Sequence, residues 1–178
     1  MFWEKMRDRK VRQAFKTHPR YHRLDVKFDH VEPRLDNARS IPELKSKVQA
    51  DHLISKLIDS IVRCLVASLF YFELDSIPER FNDKSVGTGY IQCSLRHNSP
   101  VFSLLLNQLL SNSAGFYLND HPILGRFGDT SFLGTDGNFR KPVELNVIDR
   151  FAISLKQGNS EPCNISGSLY SIDKLILA

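Results

Sequence analysis

Three histidines and two nearby aspartates are the first residues in this 178-residue chain whose types suggest chemistry. In sequence order they are His18, His22, Asp25, Asp29 and His30. Imidazole and carboxylate groups are common metal ligands, but Pro19 breaks the helix that would place the first two histidines on one face. The spacing therefore predicts surface histidines and no metal-binding residues.

The three cysteines, Cys64, Cys93 and Cys163, are far apart and include no Cys-x-x-Cys pair. This pattern is typical of reduced thiols in an intracellular protein. Cys64 follows Arg63 near a predicted helix end, and such a cation can lower the pKa of a thiol. Packing is nevertheless the commoner role of a single buried cysteine. We expect structural thiols in a cytoplasmic protein.

A catalytic nucleophile is not evident in the sequence. The chain contains no Gly-x-Ser-x-Gly elbow, no Walker loop and no Gly-x-Gly-x-x-Gly fingerprint. Asp136 precedes Gly137, as a catalytic aspartate does in some hydrolases, but Asp-Gly is also a common tight-turn pair. We expect a turn at this position, no catalytic or cofactor-binding residues, and no cofactor.

The net charge of +4 is concentrated near the N-terminus. Residues 1–39 contain 11 Lys and Arg against 6 Asp and Glu, a local charge of +5. Such a segment can contact an anionic membrane surface. Nucleic acid is a poorer match, because acidic residues interrupt the segment and no series of aromatic side chains follows for stacking on bases. A solvated helix face is the simplest interpretation of these charges.

The elements that must position any site are clearest in residues 51–75. Apolar residues come in adjacent pairs at every fourth position up to Val66, which predicts a helix, and from Leu69 the sequence becomes aromatic, which predicts a buried strand. Ser40 begins a capping-box pattern for an earlier helix. Ser99 and Pro100 begin a later one.

The remaining segments complete an α+β prediction. We expect an N-terminal helix, a strand at residues 21–28 and helices in residues 1–66, followed in residues 67–178 by a small, mostly antiparallel β module with one packed helix. The predicted strands of this module are residues 90–95, 115–118, 142–147 and 150–155, and residues 172–177 are expected to form a closing helical turn or a short strand. Residues 79–89 and 125–140 are expected to be loops.

Several motifs carry a family likeness. The first group is Tyr21-His22-Arg23-Leu24-Asp25-Val26, Glu32-Pro33-Arg34-Leu35-Asp36-Asn37 and Ile41-Pro42-Glu43-Leu44-Lys45. The second is Phe72-Glu73-Leu74-Asp75, Gly89-Tyr90-Ile91-Gln92-Cys93, Asp136-Gly137-Asn138-Phe139-Arg140 and Glu161-Pro162-Cys163-Asn164-Ile165-Ser166-Gly167. The first group resembles the end of the patatin-like phospholipase domain of fungal proteins, and the second resembles the region that follows that domain.

The resemblance implies a relationship to serine lipid acyl hydrolases without the catalytic elements. Members of that family use a Ser–Asp dyad and a glycine-rich oxyanion loop, and this sequence contains neither. The expected function is therefore that of a non-catalytic C-terminal region that packs against, or regulates, a patatin-like catalytic domain. The alternatives are an independent protein- or ligand-binding module and a basic peripheral lipid-binding protein.

The absence of an assignable nucleophile generates a prediction about activity. The purified chain should show no esterase or phospholipase turnover above background, because no activated nucleophile can be assigned. Hydrolysis of a chromogenic acyl ester measures this. Turnover that a serine-directed fluorophosphonate abolishes would contradict it.

The helical pattern also generates an expectation about stability. The apolar pairs of residues 53–66 are expected to form a buried helix face, so Ile58→Asp should unfold or aggregate the chain by placing an unpaired charge there.

Overall fold

The computed structural model describes residues 37–96, 98–125, 127, 132 and 138–177. Tertiary contacts divide the chain into a first unit, residues 1–62, and a second unit, residues 63–178. The predicted N-terminal helix, the strand at residues 21–28 and the basic segment up to residue 36 lie outside the described residues. The described part is α+β, as the sequence predicts.

The helices and strands have the following bounds. A 3₁₀ turn at Ala38–Ser40 precedes the helices α1 (Ile41–Ala50), α2 (His52–Ser68), α3 (Pro100–Ser111) and α4 (Ile172–Ile176). The strands are β1 (Phe70–Leu74), β2 (Glu79–Phe81), β3 (Lys84–Cys93), β4 (Ala114–Leu118), β5 (His121–Pro122), β6 (Arg140–Val147), β7 (Arg150–Phe151), β8 (Ile153–Gln157), β9 (Cys163–Asn164) and β10 (Tyr170–Ser171). Among the described residues, no helix is long and apolar enough to cross a membrane.

Asp51 separates α1 from α2. Its backbone is extended, with φ −80° and ψ 103°, which ends α1. Its side-chain Oδ1 then accepts hydrogen bonds from the backbone N–H groups of Leu53 and Ile54, at 2.9 and 3.3 Å, and so caps the start of α2. At the start of α1 the predicted capping box is not formed. Ser40 donates its hydroxyl proton to the Asn37 carbonyl instead.

The apolar pairs of α2 form two neighbouring stripes, and only one of them is covered. Ile54 is buried, and Leu57, Ile61 and Cys64 along the same stripe are half-buried. The residues of the other stripe are exposed: Ile58, Val62 and Leu65. Leu53, in the first turn of α2, lies beside the covered stripe and is also exposed. The expectation that Ile58 lies on a buried face is therefore wrong, since 42% of its surface is exposed. Adjacent apolar residues repeated at every fourth position form a wide apolar surface on the helix, and only part of that surface is covered.

The first sheet of the second unit is built around β3. One edge of β3 pairs with β1 and β2, and the other edge pairs with β6 along eight residues, all antiparallel. Strand β6 alternates strictly between exposed and buried residues, with Val143, Leu145 and Val147 pointing inward. Pro142 is tolerated because β6 is an edge strand that, among the described residues, pairs with β3 alone, so no second strand depends on the backbone N–H that proline lacks.

The segment 79–89 is a hairpin rather than the predicted loop. Strands β2 and β3 pair from Glu79 opposite Val86 to Phe81 opposite Lys84. Asn82 in the connecting turn has φ +58°, a conformation that asparagine accepts more readily than most residues. Charged residues and glycines are common both in loops and in exposed hairpins. The composition of residues 79–89 therefore did not distinguish the two.

The strands predicted at residues 115–118 and 142–147 are present, but the single strand predicted at residues 150–155 is divided into β7 and β8, which pair with different strands. The short strands β5, β9 and β10 were not predicted. The second sheet has the order β5-β4-β8-β9, and β7 pairs with β10. Asn119 and Asp120, both at positive φ, turn β4 into β5. Beyond β9, the Ser166 N–H donates to the Phe70 carbonyl at 2.8 Å, and the Ile165 N–H donates to the Ile153 carbonyl. This segment therefore joins the edges of the two sheets, and we call residues 163–166 the seam.

The core of the second unit is aromatic. Phe70 makes edge-to-face contacts with Phe116 and Phe139, with ring centroids 5.1 and 5.6 Å apart. Helix α3 adds Phe102, Leu105 and Leu109 to this core, and Ser99 caps the helix as predicted by accepting a hydrogen bond from the Phe102 N–H. The rings of Phe72, Phe151 and Tyr170 form a second cluster.

Tyr170 places a hydroxyl group inside the second aromatic cluster. It accepts a hydrogen bond from the Phe72 N–H at 3.1 Å and donates to the Ser166 carbonyl. Two polar backbone groups are satisfied by one side chain, which fixes β10 against β1 and the seam.

The two stripes of α2 generate a paired prediction. Ile54→Asp should lower the free energy of unfolding by about 3–5 kcal/mol, because it buries an unpaired carboxylate. Ile58→Asp, on the exposed stripe, should change it by less than about 1 kcal/mol. Urea denaturation followed by circular dichroism compares the two variants. Equal destabilisation would contradict the assignment of the stripes.

Candidate binding surface

The outer face of the first sheet carries a group of polar and aromatic side chains, of which Glu73 and Arg140 are exposed and Tyr71, Tyr90 and Gln92 are half-buried. Register places them in two neighbouring rows across β1, β3 and β6. The first row is Tyr71, Gln92 and Arg140, and the second is Glu73, Tyr90 and Pro142. We call Tyr71, Glu73, Tyr90, Gln92 and Arg140 the outer-face cluster. Because side chains alternate along a strand, this cluster lies opposite the aromatic core.

Hydrogen bonds and a cation–π contact hold the cluster in place. Gln92 donates its amide N–H to the carboxylate of Glu73 and accepts a 3.4 Å hydrogen bond from the Tyr71 hydroxyl. The guanidinium carbon of Arg140 lies 4.1 Å from the centre of the Tyr90 ring. A cation at this distance from an aromatic face is attracted by its quadrupole. On the face of the sheet, these contacts link Tyr71, Glu73 and Gln92 to one another, and Tyr90 to Arg140.

The hydroxyl of Tyr71 is held in its neutral form. Burial raises its pKa above the ordinary value, and the negative charge of Glu73 and the nearby Cys93 raise it further. Near neutral pH this group is a hydrogen-bond donor and acceptor without charge.

The composition of the outer-face cluster suits binding to a protein. Tyrosine and arginine are enriched among the residues that dominate the energetics of protein interfaces. Side chains that already contact one another in the free protein lose less conformational entropy when a partner binds than side chains without such contacts. Among the described residues, no group of three or more His, Cys, Asp and Glu side chains could hold a metal ion.

A small cleft of 210 Å³ lies at the other end of the same sheet. Its lining is Arg80, Asn82, Asp83, Lys84, Ser85, Ile148, Asp149, Ile172 and Asp173. Arg80 donates to Asp173 across a 2.9 Å ion pair between two well-exposed side chains. The cleft is smaller and more charged than ordinary small-molecule sites, which are mostly apolar and enclose about 300–1,000 Å³. It therefore matches charged groups at the rim of an interface better than it matches a lipid acyl chain.

The candidate residues named from the sequence do not belong to the outer-face cluster. His18, His22, His30 and Asp136 lie outside the described residues. Cys64 packs at the end of α2, as expected, but its sulfur lies 2.9 Å from that of Cys163. These cysteines are 99 positions apart in the sequence, which gave no signal of this contact, because the contact depends on the fold.

Sequence reasoning also missed a buried lysine. Lys141 is 2% exposed, and its ammonium group donates to the carbonyls of Leu124 and Gly125 and lies 4.1 Å from the centre of the Phe132 ring. The signal was present, because Lys141 falls between Phe139 and Val143 on the inward side of a strictly alternating strand.

Four of the seven sequence segments for which a family resemblance was expected lie near one another in this part of the fold. Phe72 of the first segment lies opposite Ile91 of the next, and Gln92 lies opposite Arg140. Ser166 of the last segment forms a parallel bridge with Tyr71, the residue that precedes the first segment. Four segments separated in sequence thus form one continuous region.

Comparison with known protein families, with curated proteins and with solved structures finds no match for this chain.

The outer-face cluster generates a prediction about the titration of Tyr71. Glu73→Gln should lower the pKa of Tyr71 towards its ordinary value, because the charge of Glu73 raises it. The ring carbon resonance of labelled tyrosine, assigned with Tyr71→Phe, measures the pKa. Glu144→Gln, further along the same face, is the matched control and should leave the pKa unchanged. An equal response to both changes would contradict the contact.

Proposed function

We propose that this chain acts as a non-catalytic binding region that packs against a patatin-like lipid acyl hydrolase domain. The observation that carries the proposal is the convergence of the four resembling segments on one region, whose exposed side is the outer-face cluster. If these segments share a role, that role belongs to the surface they form together.

The chemistry of the outer-face cluster supports a protein as the partner. Tyr90 and Arg140 present a large aromatic surface and a planar cation on a rigid strand pair, and Glu73 adds an acceptor beside them. Residues of this kind, placed on strands, lose less entropy on binding than residues on loops. The mixed-charge cleft at the other end of the sheet provides polar groups of the kind found at the rim of interfaces.

Binding to a purified patatin-like catalytic domain tests this proposal. Titration calorimetry should give a Kd of about 10 µM or tighter. The double variant Tyr90→Ala and Arg140→Ala should weaken binding at least about ten-fold, because it removes the two largest contacts of the cluster. Circular dichroism and thermal melting confirm that the variant remains folded.

The second sheet offers a matched control. Tyr117 and Lys156 form another cation–π contact, in which the ammonium nitrogen lies 5.9 Å from the ring centre. Replacing both with alanine should leave binding unchanged. No binding at about 100 µM catalytic domain, or equal loss in both double variants, would contradict the proposal.

A second candidate is a basic peripheral lipid-binding protein, favoured by the local charge of +5 in residues 1–39. Vesicles containing anionic lipid would then retain the chain, and retention would weaken steeply as salt screens the charges. Retention that does not depend on salt would contradict this candidate.

A further inference from the structure

Cys64 and Cys163 have their Sγ atoms 2.9 Å apart, and both are free thiols. The two sulfurs of a disulfide are about 2.05 Å apart, so an approach of about 0.9 Å would bring these atoms to bonding distance. Both cysteines belong to the second unit of the chain.

The backbone on both sides of this thiol pair is held by regular structure. Cys64 lies within α2, one turn before its last residue, Ser68. Cys163 pairs with Leu155 in the ladder between β9 and β8, and it begins the seam that joins the two sheets. Because neither cysteine belongs to an irregular loop, the fold itself keeps the two sulfurs together.

Arg63 supplies a positive charge at the thiol pair. Its Nε atom is buried and makes no hydrogen bond within the part of the chain that the structure describes. Burial raises the pKa of the Cys163 thiol to about 12, the hydrogen bond to Cys64 also raises it, and the Arg63 charge acts in the opposite direction. Cys163 therefore keeps its proton at neutral pH, while the cation favours any negative charge that develops on sulfur.

We propose that Cys64 and Cys163 are a peroxide-sensitive pair that closes reversibly to a disulfide. Cys64 is half-buried and Cys163 is 8% exposed, so hydrogen peroxide reaches Cys64 first. Cys163, already in contact, is the resolving cysteine. The inference does not rest on the proposed function.

The chemistry balances without a further reactant. The Cys64 sulfur attacks one peroxide oxygen, the O–O bond breaks, and the departing hydroxide takes the thiol proton to become water. The Cys163 sulfur then displaces the hydroxyl of the Cys64 sulfenic acid, so that the S–S bond forms, the S–O bond breaks, and the Cys163 proton leaves with the hydroxyl as a second water. Two thiols lose two electrons, and one peroxide is reduced to two waters. A dithiol reductant reverses the change by exchange.

Closure would tie the end of α2 to the seam between the two sheets. A disulfide spanning 99 positions restricts the unfolded chain strongly. We expect the thermal midpoint to rise by roughly 5–15 °C on oxidation.

Hydrogen peroxide treatment of the reduced full chain tests the proposal. One equivalent of peroxide should lower the number of free thiols from three to one and the mass by about 2 Da. A digest made without reductant should contain a peptide in which Cys64 is linked to Cys163. Dithiothreitol should restore three thiols. Three thiols remaining after treatment, or a link through Cys93, would overturn the proposal.

Variants separate the roles of the residues. Cys163→Ser should stop the reaction at a sulfenic acid on Cys64, which dimedone traps, whereas the matched control Cys93→Ser should form the disulfide normally. Arg63→Gln should slow the loss of thiols about ten-fold, and Arg96→Gln, at an exposed site, should not. A Cys163→Ser variant that oxidises to the disulfide-level mass, or equal rates in the two arginine variants, would overturn the assignments.

Discussion

The close approach of Phe72 to Gly89 is the constraint on which the second unit depends. A Cβ atom at position 89 would collide with the Phe72 ring and the Glu73 carbonyl. With glycine there, the ring of β1 lies across the centre of β3 and packs on Phe151 and Tyr170. The central strand can then pair on both edges while its inner face is covered by aromatic side chains.

That arrangement separates core and surface by strand alternation alone. Each strand that contributes a ring to the core presents its intervening residues to solvent, so the packing that positions Phe70 and Phe72 also positions Tyr71 and Glu73. The outer-face cluster is thus a consequence of register. A slip of one residue between β1 and β3 would bury the charged residue and expose the rings, which makes other registers costly.

The seam joins the same core to the thiol pair. The backbone hydrogen bond from Ser166 to Phe70 and the hydroxyl of Tyr170 hold it against β1, and Cys163 at its start faces Cys64 of α2. A covalent bond there would connect the helix to the place where the two sheets meet. The redox chemistry we propose would act on a junction of the fold and not on its periphery.

The sequence by itself determined two local elements: the helix-to-strand change at residues 68–70 and the Ser99 cap of α3. The first of these follows from periodicity and the second from a side-chain hydrogen bond within a few residues. Only the tertiary structure decided which stripe of α2 is covered, that residues 79–89 form a hairpin, and that Cys64 meets Cys163. It also decided the composition of the outer-face cluster. Each of these depends on pairing or packing between residues brought together by the fold, and local propensity carries no information about such partners.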